Sequence, residues 1–372
     1  MQLNAQTLIS YLEELAPKRL AFDWDNVGLQ LGSPQGTVNK ILLTLDVNSA
    51  VLHEAKDEGV DFIVTHHPFI FRPVSALRTD LPLGSMIKTA LNDNIRIYAA
   101  HTNLDVAAGG VNDALAARLG LTDTKVLRIS GRQQYEKIVV FVPQGYQDNV
   151  RDALSAAGAG WIGNYSHCTF QSQGTGTFMP REGTNPFSGQ QGKLEYADEL
   201  RLETIVPSSM RNRVVSAMKK AHPYEEVAYD VYPLLNEGEP YGLGRVGKLQ
   251  EACTLEEFAS YTKKQLQADT LRITGDYTKT INKVAVCGGA GGDMIHAASF
   301  AGADVLVTGD LKYHEAQEAE TVGLAIIDAG HDATERVVVP ALRTYLEEKL
   351  RTNGYSTTIM ESAVETAPWR YF

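Results

Sequence analysis

The sequence predicts an α/β protein whose two-lobed core is interrupted by an inserted α+β unit. Short apolar, β-branched runs alternate with helical patterns in both terminal parts of the chain. The run GADVLVT at 302–308 resembles GVDFIVT at 59–65, and the length of 372 residues exceeds that of a usual single domain. We therefore predict a core formed by residues 1–130 and 241–372, with residues 131–240 inserted between its halves.

The first half of the core begins with a helix and then alternates strands with helices. Leucines repeat on one face of a predicted helix over residues 5–16, and residues 21–34 form a shaped loop that leads into a strand. From composition alone, we expect this loop to be a turn around a buried Trp24. The elements that follow are a strand at 40–47, a helix at 49–58 capped by Ser49, a strand at 61–65, a helix at 84–93 and a strand at 95–100.

The inserted residues predict the order β-α-β-β-α-β, which is the split ferredoxin-like pattern. The predicted elements are a strand at 135–143, a helix at 148–157, short strand-like pieces in the polar stretch 161–200, a strand at 201–206, a helix at 208–221 and a strand at 227–231. Residues 237–247 (EGEPYGLGRVG) are predicted to be the linker back to the core. The segment His222-Pro-Tyr-Glu-Glu226 has the composition of a metal site, but a helix end that passes into a strand explains it as well.

The second half of the core repeats the alternation of the first. Its predicted elements are a helix at 255–266, strands at 283–287, 303–308 and 325–328, a helix at 294–301 and a final helix that contains Glu335. The glycine-rich residues 288–293 lie between a strand and a helix. They predict either an anion site at the helix N-terminus or a tight turn against the sheet, and they fit neither the GxGxxG nor the Walker pattern.

Composition disfavours several classes of function. The net charge of -11 and the lack of a long basic stripe disfavour nucleic-acid binding. Three cysteines without CxxC spacing indicate reduced thiols. The N-terminus does not read as a signal peptide, and no apolar run approaches the ~20 residues of a membrane span. We expect a cytoplasmic protein.

Two histidines follow the predicted strand at 61–65. His66 and His67 come directly after the run DFIVT, and Pro68 ends the strand because proline cannot donate a hydrogen bond to the sheet. Ligands of open α/β sheets bind at this edge, where the strands end. A turn at Pro68 would bring both imidazoles to one site, although successive strand residues otherwise point to opposite faces.

Two further His–carboxylate pairs follow strand ends. His101 and Asp105 follow a strand of the first half, and His331 and Glu335 follow a strand of the second half. Both pairs are spaced i, i+4, which on a helix places the two side chains on one face. We predict that the three strand ends form one metal centre, with His101 as a ligand, an orienting partner of Asp105 or a proton carrier. The predicted ligands are His66, His67, Asp105, His331 and Glu335.

This ligand set predicts two ions. Histidine and carboxylate ligands suit Zn, Mn, Fe or Co, and the set exceeds what one tetrahedral catalytic ion needs. Two ions ~3.5–4 Å apart would use all of the ligands, with Glu335 as the bridge because its spacing from His331 fixes its position. Water between two such ions acts as hydroxide near neutral pH, so hydrolysis is the expected chemistry.

Several motifs resemble those of the Nif-three-like family, whose members are also called GTP cyclohydrolase 1 type 2 homologues. They occur in the same order through both halves of the core. The motifs are Trp24-Asp-Asn-Val-Gly-Leu-Gln30, Thr65-His-His-Pro68, His101-Thr-Asn-Leu-Asp105, Gly242-Leu-Gly-Arg245, Gly309-Asp310 with His314, Gly330-His331 with Glu335, and Pro368-Trp369. A surface or packing role for His314 explains that residue as well as a role in the site.

The resemblance implies how the ligands are shared. Residues that match His66 and Asp105 serve one ion, and those that match His67 and His331 serve the other. Glu335 is common to both ions. The resemblance also implies a ring-shaped homohexamer, and the inserted unit is similar to the PII-like insert of the longer bacterial members. The family label implies that metal-bound hydroxide opens the imidazole ring of GTP.

Three functions follow as hypotheses. The first is a dinuclear metal-dependent hydrolase of a small molecule, which is GTP if the family label applies. The second is a non-catalytic metal-binding or metal-sensing hexameric scaffold that is regulated through its PII-like insert. The third, a ring that binds nucleic acid, is disfavoured by the acidic charge.

Overall fold

Strands and helices alternate along residues 1–370, the part of the chain that the structure, a computed structural model, describes. This mixed α/β architecture confirms the predicted fold class. Contacts divide the chain into two units. Met1–Ser130 and the chain from Tyr241 onward form the first unit, and Gly131–Pro240 form the second. Within residues 1–370, no helix has the length and apolar character that a membrane span requires.

The bounds of the elements are as follows. The first half of the first unit contains β1 (Leu3–Asn4), α1 (Ala5–Leu15), β2 (Gly28–Leu31), β3 (Thr37–Val38), β4 (Lys40–Thr44), α2 (Ser49–Asp57), β5 (Phe62–Thr65), α3 (Pro82–Asn92), β6 (Arg96–Ala99), α4 (Thr102–Val106), α5 (Val111–Arg118) and β7 (Thr122–Arg132). The second unit contains β8 (Tyr135–Pro143), α6 (Gln147–Ala156), β9 (Thr169–Phe178), β10 (Glu195–Pro207), α7 (Arg211–Ala221) and β11 (Tyr229–Leu234). The remainder contains β12 (Pro240–Thr254), α8 (Leu255–Leu266), β13 (Arg272–Thr274), β14 (Thr280–Ala290), α9 (Ile295–Phe300), β15 (Val305–Gly309), α10 (Tyr313–Thr321), β16 (Ala325–Asp328), α11 (His331–Glu335), α12 (Val338–Thr352) and β17 (Thr358–Glu361).

The first unit is built on two large sheets, and β1 and β3 form a separate two-stranded sheet. One has the strand order β17-β4-β5-β6-β2, and the other has the order β13-β16-β15-β14-β12-β7. Strands β17, β4, β5 and β6 are parallel, as are β14, β15 and β16. Helices cover both faces of each sheet, which is why the central strands are apolar throughout and do not alternate with polar residues.

Strand β4 shows how this packing works. Leu43 of β4 packs with Leu8 of α1 and Leu346 of α12 on one face of the first sheet. On the opposite face, Leu42 packs with Leu52 of α2. Burial of both faces fixes the strand ends in place, and these ends carry the predicted ligands.

The second unit is a four-stranded antiparallel sheet with the order β11-β8-β10-β9. Val150 and Leu154 of α6 and Val214 and Met218 of α7 pack against one face of it. Strands β9 and β10 are longer than the short pieces that the polar sequence predicts, because their hydrogen bonds continue through exposed polar residues.

Three local predictions are wrong. The cap of α2 is Asn48 and not Ser49, because the Asn48 side chain accepts a hydrogen bond from the Val51 amide at 3.0 Å. Most of the predicted linker 237–247 belongs to β12. Its glycines permit close approach within the sheet: a Cβ at Gly242 would lie 2.0 Å from the Arg128 carbonyl oxygen. Trp24, predicted to be buried, is 59% exposed.

Candidate metal centre

Four imidazoles meet where the parallel strands end. His66 and His67 follow β5, His101 follows β6, and His331 lies beyond β16 at the start of α11. The ring centroids of His66 and His67 are 5.0 Å apart, those of His66 and His101 are 5.3 Å apart, and those of His67 and His331 are 5.3 Å apart. Both sheets of the first unit therefore contribute to one cluster.

Two carboxylates complete the cluster. Glu335 is buried, and its Oε2 lies 2.9 Å from Nε2 of His67 and 3.1 Å from Nε2 of His331. Its Oε1 lies 3.8 Å from Nε2 of His66, which is also 3.7 Å from Oδ1 of Asp105. The five predicted ligands thus lie together.

The ligand atoms fall into groups that suit metal binding. His66, Asp105 and Glu335 form one group, and His67, His331 and Glu335 form another. In each group the ligand atoms all lie within 4.8 Å of one another. Glu335 is the member common to both groups, and its two oxygens face different histidines. A third group consists of His66, His67 and His101.

Each imidazole is oriented through its Nδ1 atom. His66 Nδ1 donates a hydrogen bond to the backbone carbonyl of Ala100 at 2.8 Å, which leaves Nε2 as the atom that faces the cluster. The other three rings are held by aspartates: His67 by Asp46 (2.7 Å), His331 by Asp310 (2.8 Å) and His101 by Asp25 (2.9 Å). A carboxylate or carbonyl behind the ring is the usual arrangement for a histidine that binds a metal through its other nitrogen.

Sequence reasoning missed these three aspartates as partners. The signal was present for two of them. Asp46 follows β4, which is the parallel neighbour of the strand that precedes His67. Asp310 follows β15, the parallel neighbour of β16. Side chains just beyond adjacent parallel strands lie at the same sheet edge, so each aspartate lies beside a predicted ligand.

Two buried polar atoms show that the site fits a cation. His66 Nε2 and Asp105 Oδ1 are shielded from solvent and have no hydrogen-bond partner within the described chain. A buried polar atom that lacks a partner is costly, and both atoms point into the same group of ligands. A divalent ion bound to both would satisfy them. The donor set of imidazoles and carboxylates suits borderline divalent metals.

Without a metal ion, protonated histidines balance the negative charge of the carboxylates in this site. Burial opposes protonation of His67, but hydrogen bonds to Asp46 and Glu335 outweigh it and raise its pKa to about 10. Burial likewise opposes protonation of His331, and its contacts with Glu335 and Asp310 raise its pKa to about 9. The two imidazolium groups therefore neutralise carboxylates that a metal ion would otherwise neutralise.

The two carboxylates differ in their electrostatic surroundings. Burial and the neighbouring charge of Glu335 raise the pKa of Asp105 to about 7, although His66 opposes the shift. Burial alone would raise the pKa of Glu335 as well. Positive charge and hydrogen bonds from the surrounding imidazoles instead hold that pKa well below its usual range. Glu335 is thus the ionised centre of the cluster.

The glycine-rich residues 288–293 pack against the cluster. Gly289 has φ +65°, and a Cβ built on it would lie 2.2 Å from Glu335 Oε1 and 3.3 Å from His331 Cε1. The Gly289 amide donates to the hydroxyl of Thr334 at 3.0 Å, which joins the end of β14 to α11. Gly289 thus lies within β14, where the pairing with β15 is irregular between Val286 and Ala290, and not in the predicted tight turn. Its lack of a side chain makes room for Glu335.

Of the other two histidines named from the sequence, His101 lies within the cluster and His314 lies outside it. His101 hydrogen bonds through its side chain to Asp25 and makes no side-chain hydrogen bond to Asp105 within the described residues. Its ring lies edge-on to exposed Trp24, with centroids 6.0 Å apart. His314 is exposed, pairs with Gln317 and belongs to none of the ligand groups found among residues 1–370.

Known proteins match nearly the whole of this chain in sequence, and one of them matches it in structure. The family model described as Duf34/NIF3 (NGG1p interacting factor 3) matches residues 3–368. A protein of Halalkalibacterium halodurans named GTP cyclohydrolase 1 type 2 homolog is 48% identical over 368 residues, 99% of each chain. A Bacillus subtilis protein of the same name is 44% identical over 99% of each chain. The crystal structure of a Bacillus cereus protein related to NIF3 superposes with a TM-score of 0.91 at 46% identity, over 100% of both chains.

Proposed function

The chain belongs to the DUF34/NIF3 family, and we propose that it is a hydrolase that uses two divalent metal ions to act on a small molecule. The observation that carries this proposal is the pair of ligand groups that share Glu335. The buried, unpartnered atoms of His66 and Asp105 support it, because a cation is the partner that both would accept.

The proposed ligands divide between the two ions. His66 and Asp105 would hold one ion, His67 and His331 the other, and Glu335 both. Bound at this place, the ions would acidify a water molecule and polarise the bond that is to be broken. Asp46 and Asp310 would keep the proton of each ring on Nδ1 and so leave Nε2 free to bind.

We assign His101 to proton transfer. Its Nδ1 is held by Asp25, and its ring lies against His66 and His67, with centroid distances of 5.3 and 5.6 Å. Hydrogen bonds from His101 and Thr102 outweigh the burial of Asp25 and lower its pKa to about 2, so that Asp25 stays ionised and fixes the ring. The Nε2 atom of His101 would then be free to accept a proton from the substrate or to donate one to it.

Exposed aromatic rings beside His101 favour a planar substrate. Trp24 is 59% exposed and Phe71 is 47% exposed, and their centroids are 6.0 Å apart. The two rings together form an exposed aromatic patch, and a flat heterocycle that stacks on Trp24 would cover part of it. The names of the relatives point to GTP, whose purine has this shape. We therefore propose that the reaction opens the imidazole ring of GTP.

The proposal extends to assembly and location. We propose a cytoplasmic homohexamer in which the Gly131–Pro240 unit is the PII-like insert of the long family members. Light scattering on the purified full chain tests the assembly: a mass of six chains is expected, and a mass of one or two chains would contradict it.

Turnover of GTP by the full-length protein tests the function. We expect opening of the purine ring, followed by product chromatography, to require added Zn²⁺, Mn²⁺, Fe²⁺ or Co²⁺ and to stop on chelation. Glu335→Gln should abolish both metal binding and turnover. The matched control is Glu318→Gln, because Glu318 also pairs with a histidine (His296, 2.7 Å) but lies on the surface outside the ligand groups.

Three outcomes would contradict the proposal. Turnover that survives chelation would show that the reaction does not need a metal ion. Activity retained in Glu335→Gln would show that the shared ligand is not needed. Tight metal binding without turnover of GTP or a panel of phosphoesters and cyclic amidines would favour the metal-binding scaffold instead.

A further inference from the structure

We propose that the Gly131–Pro240 unit contains a binding site for a small organic ammonium ion. The site is a cavity of about 480 Å³ lined only by residues of this unit. That volume is within the range of small-molecule sites. The residues that argue for the ligand are Phe141, Phe178, Phe187, Tyr224 and Glu199.

The walls of the cavity are aromatic. The centroid of the Phe187 ring lies 5.7 Å from that of Tyr224, and the centroid of the Phe178 ring lies 6.5 Å from it. Phe187 is half exposed, although its ring packs edge-on against Tyr146 with centroids 5.6 Å apart. Aromatic faces carry partial negative charge and attract cations, most strongly where water is excluded.

A buried carboxylate lies at the cavity wall. Glu199 is 8% exposed, and its Oε1 accepts a hydrogen bond from the Tyr224 hydroxyl at 3.0 Å. Within residues 1–370, Glu199 forms no salt bridge with any lysine, arginine or histidine. A buried carboxylate without a counter-charge is costly, so a cationic ligand would supply what the chain does not.

Neighbouring groups leave the charge of Glu199 uncompensated. The buried His222 packs against Tyr224 with ring centroids 4.9 Å apart. Its Nε2 donates to the Phe141 carbonyl at 3.0 Å while its Nδ1 accepts from the Tyr224 amide at 3.1 Å, so the ring is neutral. Burial also lowers the pKa of His222. His222, which gave the segment 222–226 the composition of a metal site, therefore makes structural hydrogen bonds instead.

The other charges at the cavity add to the preference for a cation. Glu225 and Glu226 also line it, whereas Arg181 is the one basic residue among the lining residues and is exposed. Gly176 makes room for the carboxylate, because a Cβ there would lie 2.2 Å from Glu199 Oε2. An ammonium group could donate to Glu199 while an apolar body contacts the rings of Phe187 and Tyr224.

Calorimetric titration of the full-length protein with 2-phenylethylammonium tests this site. We expect saturable binding in the micromolar to millimolar range. The neutral analogue 2-phenylethanol has the same shape without the charge, and it should bind at least about tenfold more weakly. This comparison uses the unchanged protein, so it does not depend on the folding of any variant.

Variants then locate the site. Glu199→Gln keeps the size of the side chain and its hydrogen bond to Tyr224 but removes the charge, and it should weaken ammonium binding at least about tenfold. The matched control is Glu182→Gln, since Glu182 is an exposed carboxylate of the adjacent loop that does not line the cavity. Absent binding to the wild type, equal affinity for the alcohol, or unchanged affinity in Glu199→Gln would each overturn the proposal.

Discussion

Substitution of Gly289 by alanine should weaken metal binding strongly while the chain still folds. Two effects act at this position. First, an alanine would have to adopt the left-handed backbone conformation of Gly289, φ +65°. This costs roughly 1–2 kcal/mol of folding free energy. Second, the new methyl group would lie 2.2 Å from Glu335 Oε1, far inside contact distance.

The second effect decides the outcome. Glu335 would have to retreat by at least about 1.2 Å, from 2.2 Å to the 3.4 Å at which ordinary van der Waals contact with the methyl group begins. Metal–ligand distances tolerate only about 0.2 Å, so Glu335 could no longer reach both ions. Loss of a group that merely orients a ligand typically costs about 10–100-fold in metal affinity. Displacement of the shared ligand itself should cost at least about 100-fold.

Gly59→Ala is the matched control. Gly59 has φ +67°, and a Cβ built on it would have no atom within 4 Å. It therefore carries the same backbone cost without the clash. The zinc affinity of both variants can be measured by competition with a chromogenic chelator, and it should fall only in Gly289→Ala. The thermal unfolding temperature of the metal-free protein should be lowered in both variants. Wild-type zinc affinity in a folded Gly289→Ala protein would refute the reasoning.

Three further predictions concern other parts of the molecule. Asp310→Asn should weaken zinc binding about 10–100-fold, because Asp310 orients His331, and unchanged affinity would contradict this role. Trp24→Ala should raise the KM for GTP about tenfold with kcat retained, whereas the similarly exposed Trp161→Ala should not, and equal kinetics would exclude stacking. Since burial lowers the pKa of His222 below 6.5, the unfolded chain binds its proton first as pH falls. The free energy of unfolding in urea should therefore decrease below about pH 6.5, less so in His222→Gln, and an identical pH slope in the variant would contradict this.

The strand ends were predictable because strands buried on both faces consist of continuous apolar runs. The run before His66 is apolar throughout since helices cover both faces of its sheet, and the same holds for the strand before His331. The i, i+4 spacing of His331 and Glu335 could then be placed on a helix at the sheet edge. The fold class and the set of clustered residues followed from these patterns.

The partners behind the imidazoles depend on strand pairing and not on local sequence patterns. Asp46 and Asp310 reach their histidines only because neighbouring strands are parallel and in register, which is a property of the sheet and not of either segment. The role of Gly289 likewise depends on Glu335, which is distant in sequence. The long strand β7 was missed because its side chains are mostly polar and exposed, so the usual alternation is absent.

Anomalous X-ray scattering from crystals of the zinc-loaded protein would test most directly whether Glu335 is shared by two cations. We expect two peaks. One should lie about 2.0–2.2 Å from His66 Nε2 and an Asp105 oxygen, the other at the same distance from Nε2 of His67 and His331, and each should contact one oxygen of Glu335. A single peak, or peaks that do not contact Glu335, would contradict the account.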